Sequence, residues 1–341
     1  MYKKLLTFAL ISLTLVFISC SDNSPKTIFN NIINNPVNIQ DKVESTAIKQ
    51  NDIKTPLGLA CAESMYVIGD EDNNYNLHFY DKTGNRVLDM LPKGHGVNEI
   101  NSIYQMQSLS TSKFWVLDNS SRKIVTISKD SICDINRMPY ISDYHQLTIC
   151  NDTIVGICVD NDARYKVQNI RTNKTFYMGS YDQYGVTTSV GKNLLQGNIV
   201  SNSKTGKFAF LSYYGVSWQF GNYRTKILNK PAIVELPKYS VNGSGYPIMD
   251  LGTQLGFISV ACSSTHIFAL YSGKEIRKGL KNKGEIMHGN IIFQFDWDGN
   301  IETCYKLNEM IYQITYDRTN NKLVMLSEND YGYLIQTLSC I

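Results

Sequence analysis

The sequence predicts an all-β chain closed into a six-bladed β-propeller, with seven blades as the alternative count. Three observations lead there. From about residue 53 to the end, β-rich runs alternate with polar turns, and there is little helix signal. Comparable strand–turn–strand units return every roughly 40–50 residues, the period of a four-stranded blade. The turns carry Asp, Asn and Gly, as in Thr83-Gly84-Asn85 and Asp298-Gly299, because Gly and Asn accept the positive φ that tight hairpins need.

The chain opens with Met1-Tyr2-Lys3-Lys4, then the apolar run 5–18 (LLTFALISLTLVFI), then Ser19-Cys20. A positive start, an apolar run and a small residue at the cut describe an export signal. The run of about 14 residues is shorter than the about 20 needed to span a bilayer. Ser19-Cys20 resembles the lipobox of bacterial lipoproteins, with Phe17 where that family usually has Leu. The resemblance implies cleavage before Cys20 and acylation of that Cys. Residues 1–19 are then a lipoprotein signal peptide and Cys20 is the lipid attachment site. A plain secretory signal with a chance Cys is the alternative. Residues 20–35, rich in Asn, Asp and Ser, are expected to be a tether. Residues 36–341 form the expected propeller. One strand within 36–50 (PVNIQDKVESTAIKQ) should pair with the last blade, since a closed ring leaves no long unpaired edge. The expected blades are 53–92, 100–138, 140–180, 192–238, 245–305 and 306–341.

Runs such as Ile291-Ile292-Phe293-Gln294-Phe295 have the β-branched and aromatic content of a buried or half-buried strand. Charged residues make up only 18% of the chain while Tyr numbers 22, a balance that suits a β-rich extracytoplasmic protein. Without Lys3 and Lys4, Lys+Arg falls from 33 to 31 against 30 acidic residues, a net charge of +1. That field is too weak to point to nucleic acid or anionic lipid. Besides Cys20 there are seven Cys, at positions 61, 133, 150, 158, 262, 304 and 340. None forms a CxxC pair, and an odd number cannot all pair among themselves. Most lie in apolar runs, where a free Cys acts as a small hydrophobe.

Several residues bear on chemistry. Asp118, in Val116-Leu117-Asp118-Asn119-Ser120-Ser121, reads as a turn Asp accepting backbone N–H bonds, or as a ligand contact at a blade end. Asp70, Asp72 and Asn74 match the first oxygen positions of a calcium loop. Tyr75 stands where that loop needs Gly, and Asp81 closes it instead of Glu, so a solvated hairpin turn competes with a weak calcium site. His78, His95, His145, His266 and His288 are dispersed, with no HExxH or HxH spacing. There is no G-x-S-x-G elbow, and Lys207 lacks the surroundings of a P-loop. The aromatic, Gly-rich segment 213–223 is either a binding face or inter-strand packing. The segment 241–247 is a flexible turn. The basic insertion Lys274 to Lys283 is either a solvated loop or a contact for an anionic partner.

The run Phe114 to Ile124 (FWVLDNSSRKI) resembles the strand–turn–strand signature of NHL and YWTD six-bladed propellers. Gly94-His95-Gly96-Val97-Asn98-Glu99-Ile100 resembles an inter-blade motif of propeller lipoproteins from Bacteroides-like bacteria. The stretches His266 to Gly273 and Phe295-Asp296-Trp297-Asp298-Gly299-Asn300 are similar to the TolB-like six-bladed propellers of that group. The resemblance covers residues 53–341. It implies a fold and a cell-envelope address, and supplies no catalytic residue. We therefore expect a lipid-anchored outer-membrane protein that binds or scaffolds a protein or glycan without catalysis. The competing expectation is an envelope hydrolase or lyase acting on a sugar or peptide in the central channel. No catalytic, metal or cofactor residue is assigned, no cofactor is expected, and Cys20 is the one assigned site. Ser21-Asp22 resembles the acidic surface-export tag of such lipoproteins, so both a surface-exposed and a periplasm-facing orientation stay open.

Overall fold

The computed structural model describes residues 24–49, 53–71, 74–138, 140–280 and 283–339. Cys20 and the expected signal lie outside the described residues. The arrangement is an all-β propeller. After a helix at Pro25–Ile33 come β1 (Val37–Asn38) and β2 (Val43–Ala47). The first sheet holds β3 (Pro56–Ala62), β4 (Met65–Asp70), β5 (Tyr75–Tyr80) and β6 (Arg86–Pro92) in sequence order. The second holds β7 (Gln105–Ser108), β8 (Lys113–Asp118), β9 (Lys123–Ser128) and β10 (Ser131–Arg137). The third holds β11 (Tyr144–Cys150), β12 (Thr153–Cys158), β13 (Ala163–Asn169) and β14 (Thr175–Ser180). The fourth runs through β15 (Gly197–Ser201), β16 (Lys207–Ser212) and β17 (Val216–Asn222), with the short β18 (Ile227–Leu228) and β19 (Ala232–Glu235) both paired to β17.

A hairpin of β20 (Tyr239–Val241) and β21 (Pro247–Met249) stands apart as its own two-stranded sheet. It falls partly inside the stretch 245–305 expected as one blade, and it joins no larger sheet. The last sheet has eight strands: β22 (Phe257–Cys262), β23 (His266–Tyr271), β24 (Gly289–Asp296), β25 (Ile301–Asp317), β26 (Lys322–Asn329), β27 (Gly332–Ser339) and then β2, with β1 added in parallel on β25. β25 is 17 residues long, and its two halves have different partners. Residues 301–306 pair with β24 and residues 310–317 with β26, and Ile311 faces both, opposite Gly289 and Ser327. β2 runs antiparallel to β27, from Val43 opposite Leu338 to Ala47 opposite Leu334. The closing segment crosses the turn at Gly84, whose carbonyl accepts from Lys49 N at 3.0 Å. Gly84 has φ +80°, and a Cβ there would lie 2.0 Å from the Ala47 carbonyl oxygen, so only Gly fits.

The stretch expected as a tether is corrected by the structure, because residues 25–33 form a docked helix. The Ser24 side chain caps it by accepting from Thr27 N at 3.3 Å, and Pro25 sits at its first turn. Phe29 is only 3% exposed. Its ring stacks on Phe293 at 4.8 Å and meets Tyr271 edge-on at 5.6 Å. Burying this aromatic against the fourth and last sheets stabilises the segment more than its Asn-rich composition opposes it. Apolar cores fill the wedges between neighbouring sheets, as Phe79 with Phe114 does between the first and second. No helix among the described residues is long and apolar enough to cross a membrane.

Candidate functional site

The motif-like residues fasten the loops between sheets. Asp118, fully buried at the end of β8, accepts from Asn101 N at 2.8 Å and from the Ser120 and Ser121 hydroxyls at 2.7 and 2.6 Å. Burial raises its carboxyl, but these donors more than offset that and hold it below the ordinary carboxylate value. Lys123 Nζ donates to the carbonyls of Gly96 and Glu99, so the segment 94–100 is clamped onto the 118–123 turn. Asp70 repeats the device at the end of β4, accepting from Lys54 N and from Thr55 N at 2.6 Å. Its carboxylate thus ties the segment leading into its own sheet and lies 3.8 Å from His78 Nε2, a buried position rather than the solvated hairpin turn expected. Asp72 lies outside the described residues. Asp81 closes the next turn, with its Oδ1 accepting from Thr83 N at 2.8 Å and Asn85 N at 3.0 Å.

The histidines stay dispersed. His78 is buried against Asp89 at 2.9 Å, His266 pairs with Glu302 at 3.3 Å, and His95 meets the Asn101 amide at 3.1 Å. Among the described residues no group of three or more His, Cys, Asp or Glu side chains is placed to hold a metal. Cys61, Cys133, Cys150, Cys158, Cys262 and Cys304 are free thiols. Burial pushes Cys158 up to about 12 and Cys304 to about 11, so neither is a thiolate at neutral pH. In the aromatic segment 213–223, Trp218, Phe220 and Tyr223 are buried in packing, and only Tyr213 reaches a cavity. The basic insertion carries a short 3-10 turn at Ile276–Leu280, where Arg277 pairs with Glu275 at 2.8 Å. Lys274 Nζ stands 2.8 Å from His288 Nδ1, and His288 borders the same cavity as Tyr213.

That cavity, of about 780 Å³, opens at one end of the channel. The starts of β3, β7, β15 and β22 converge on it, together with Gln146 of β11 and the middle of β25. Its wall mixes amides and phenols with aliphatic residues such as Leu57, Leu59 and Ile258, and Lys54, Glu71 and His288 also border it. Gln105 bridges to β11, donating to Leu147 O at 2.7 Å and accepting from Leu147 N at 3.2 Å. Asn198 donates to Phe257 O at 3.0 Å and accepts from the Tyr213 hydroxyl at 3.1 Å. Gln313 Oε1 accepts from the Ser259 hydroxyl at 3.1 Å. Gln146 Oε1 is buried with no hydrogen-bond partner among the described residues. Burial raises the phenols of Tyr104, Tyr213 and Tyr312, and that of Tyr333 to about 12. All four therefore stay neutral hydrogen-bonding groups. Among the described lining residues Glu71 is the only carboxylate, whereas glycoside hydrolysis generally works with a pair. Towards the far end the channel narrows to a pocket of about 20 Å³ bordered by Leu59, Val200 and Ile314.

The sequence did not mark Gln105, Gln146, Asn198 or Gln313. Their one signal is an amide interrupting an otherwise apolar strand, as in Gln105-Met106-Gln107. Such residues acquire meaning only when strands far apart in sequence are brought around one axis.

No protein-family model matches the chain, and no curated protein matches it. Among solved structures it is similar to a member of the DUF4221 family from Bacteroides vulgatus, at 13% identity over 88% of this chain and 98% of that one, with a TM-score of 0.49. It is also similar to virginiamycin B lyase from Staphylococcus aureus, at 13% identity over 88% and 99%, with a TM-score of 0.48. A third is the Pan2 WD40 domain of Neurospora crassa, at 8% identity over 90% and 98%, with a TM-score of 0.47. None of these likenesses lends this chain a function.

Proposed function

We propose that this chain is a non-enzymatic binding or scaffold protein of the cell envelope, and that it takes an uncharged, hydrogen-bonding ligand, foremost a glycan, into the 780 Å³ cavity. The observation that carries this reading is Gln146 Oε1, an acceptor buried without a partner among the described residues, beside a cavity whose polar lining is mostly amides and neutral phenols. A buried unsatisfied acceptor on a residue that lines a roomy cavity is matched by a donor from a ligand or from water when the side chain turns to meet it. A sugar supplies hydroxyl donors and an apolar ring face for Tyr213 or Tyr312. The single carboxylate in the described lining weighs against a glycoside hydrolase working with a carboxylate pair.

The same reading takes the ring as six blades, with β25 ending one blade and beginning the next. The change of partner along β25 supports that count. It also takes the chain as a TolB-like or NHL-like lipoprotein of the outer membrane, acylated at Cys20.

The test is the melting temperature of the whole chain in mild detergent against a panel of neutral bacterial and host glycans. A glycan at 100 times its Kd adds about 2.7 kcal/mol, a shift of several degrees. The shift should vanish in Tyr213→Ala. A flat panel overturns the glycan reading and leaves a protein partner to be sought by cross-linking on intact cells. Cys20→Ser should move the protein out of the detergent phase on phase partitioning. Unchanged partitioning overturns the lipid anchor.

A further inference from the structure

A second cavity, of about 700 Å³, opens at the other end of the channel. It is a cleft between the second and third sheets, with Thr126 and Asn136 on one wall and Ile149 and Asp152 on the other, and it reaches inward to Cys262 and Arg318. It shares only Gln107 with the first cavity. Its lining is richer in charge, with Lys113, Asp134, Asp152, Arg171, Lys204 and Arg318 around it. Arg171 Nε is 3.0 Å from Asp152 Oδ1, so those two charges cancel. Asp134 accepts from the Asn136 amide at 2.7 Å. Against this one remaining carboxylate stand Lys113, Lys204 and Arg318. Neither lysine ammonium has a partner among the described residues, and both are exposed at the rim.

Arg318 is the informative residue. It is half-buried, and its Nε is buried without a hydrogen-bond partner among the described residues. Its terminal amino group donates to the Cys262 thiol at 3.5 Å, a weak acceptor for a full positive charge. The adjacent Asp317 is already taken by Lys82 at 3.2 Å and by the turn amides of Thr319 and Asn320. A guanidinium whose one hydrogen-bond partner among the described residues is a thiol, on a residue lining a polar cleft, is matched by a planar or tetrahedral oxyanion as a stronger acceptor.

We propose that this inter-sheet cleft is an anion site that takes the carboxylate, sulfate or phosphate group of a small polar ligand. Arg318 grips the oxyanion, and Lys113 and Lys204 draw it in from the rim. The site is independent of the glycan reading, because the ligand enters from the other end of the channel.

The test is calorimetric titration of the whole chain in mild detergent at low salt with inorganic phosphate, sulfate and glucuronate in turn, with chloride as the control. At least one oxyanion should bind saturably and chloride should not. Arg318→Gln should weaken that binding at least about tenfold, the size of a charge-assisted hydrogen bond. The double variant Lys113→Gln/Lys204→Gln, at exposed positions, should weaken it at least threefold, roughly what loss of electrostatic steering implies. Selective phosphate or sulfate binding indicates a phosphorylated or sulfated ligand, and selective glucuronate binding an acidic sugar. No saturable binding by any of the three overturns the proposal, as does unchanged affinity in a folded Arg318→Gln. If Arg318→Gln fails to fold, the lysine variant decides, and equal affinity there overturns the site.

Discussion

Where the fourth sheet meets the eight-stranded one, Trp218, Phe220, Phe257, Tyr271, Phe293 and Phe295 pack into a single cluster under the docked Phe29. Trp218 meets Phe295 at 5.5 Å and Phe257 meets Phe293 at 5.8 Å, both edge-on. The junction of the second and third sheets also has an apolar core, around Trp115, Met138 and Ile141. Its inner strands, however, are tied by side-chain amides. Gln105 reaches Leu147, and Gln107 accepts from the Thr148 hydroxyl at 2.8 Å and donates to Ile199 O at 3.0 Å. The 700 Å³ cleft opens beside these bridges. Aromatic rings fill a wedge without leaving polar atoms to satisfy. Amide bridges hold the strands apart and leave acceptors and cations facing space. The two large cavities open where packing gives way to hydrogen bonds.

Three perturbations probe that contrast. Phe293→Ala on the aromatic side should be the most damaging. The ring is fully buried and touches Phe29, Phe257, Tyr271 and Phe295. A loss of about 3–5 kcal/mol is expected, read as a drop in the urea midpoint with an unchanged slope. A cost near zero would mean that the cluster does not carry this junction.

Acid should act on the hydrogen-bonded side and spare the aromatic one. Asp118 and Asp317 are both held below the ordinary carboxylate value, because their donors more than offset the rise caused by burial. A depressed folded pKa means that the unfolded chain binds more protons in the acid range. Stability from these groups is therefore complete above the unfolded value of about 3.9 and is lost as pH falls through the lower folded value. Asp118→Asn should cost roughly 1–3 kcal/mol at pH 7 and should flatten the fall in urea midpoint between pH 5 and pH 3. Phe293→Ala should leave that slope as it is. Equal slopes in Asp118→Asn and the unaltered chain would remove Asp118 as a source of acid sensitivity.

Gln105→Met should have the smallest effect. It keeps the bulk but removes both bonds to Leu147. About 1–2 kcal/mol is expected, with faster amide exchange at Leu147 as the local readout. Protected exchange at Leu147 would show that the amide bridge is dispensable.

Much of the architecture was legible locally. The hairpins are written in Asp, Asn and Gly turns such as Asp81 to Asn85 and Asp296 to Asn300, where Gly84 and Gly299 take the positive φ expected of such turns and Asp81 and Asp296 accept turn amides. The bounds of most sheets follow from period-two and continuous apolar runs, with edges within a few residues. The helix Pro25–Ile33 was missed because its Asn-rich composition hid a Ser-Pro start and the spacing of Phe29, Ile32 and Ile33. The candidate site was hardly legible, since an amide on a strand looks the same whether it faces a channel, a neighbouring strand or water.

The sequence alone determined most strands and their turns, because each depends on neighbours within a few residues. The tertiary structure decided that β25 serves two sets of partners, that β2 pairs with β27, that Phe29 docks, and which side chains surround each cavity. Those outcomes join residues up to nearly 300 positions apart, as with Lys322 and Glu44 at 2.6 Å. Their energies come from burial and hydrogen bonding across the closed ring, and these exist only once the ends of the chain have met.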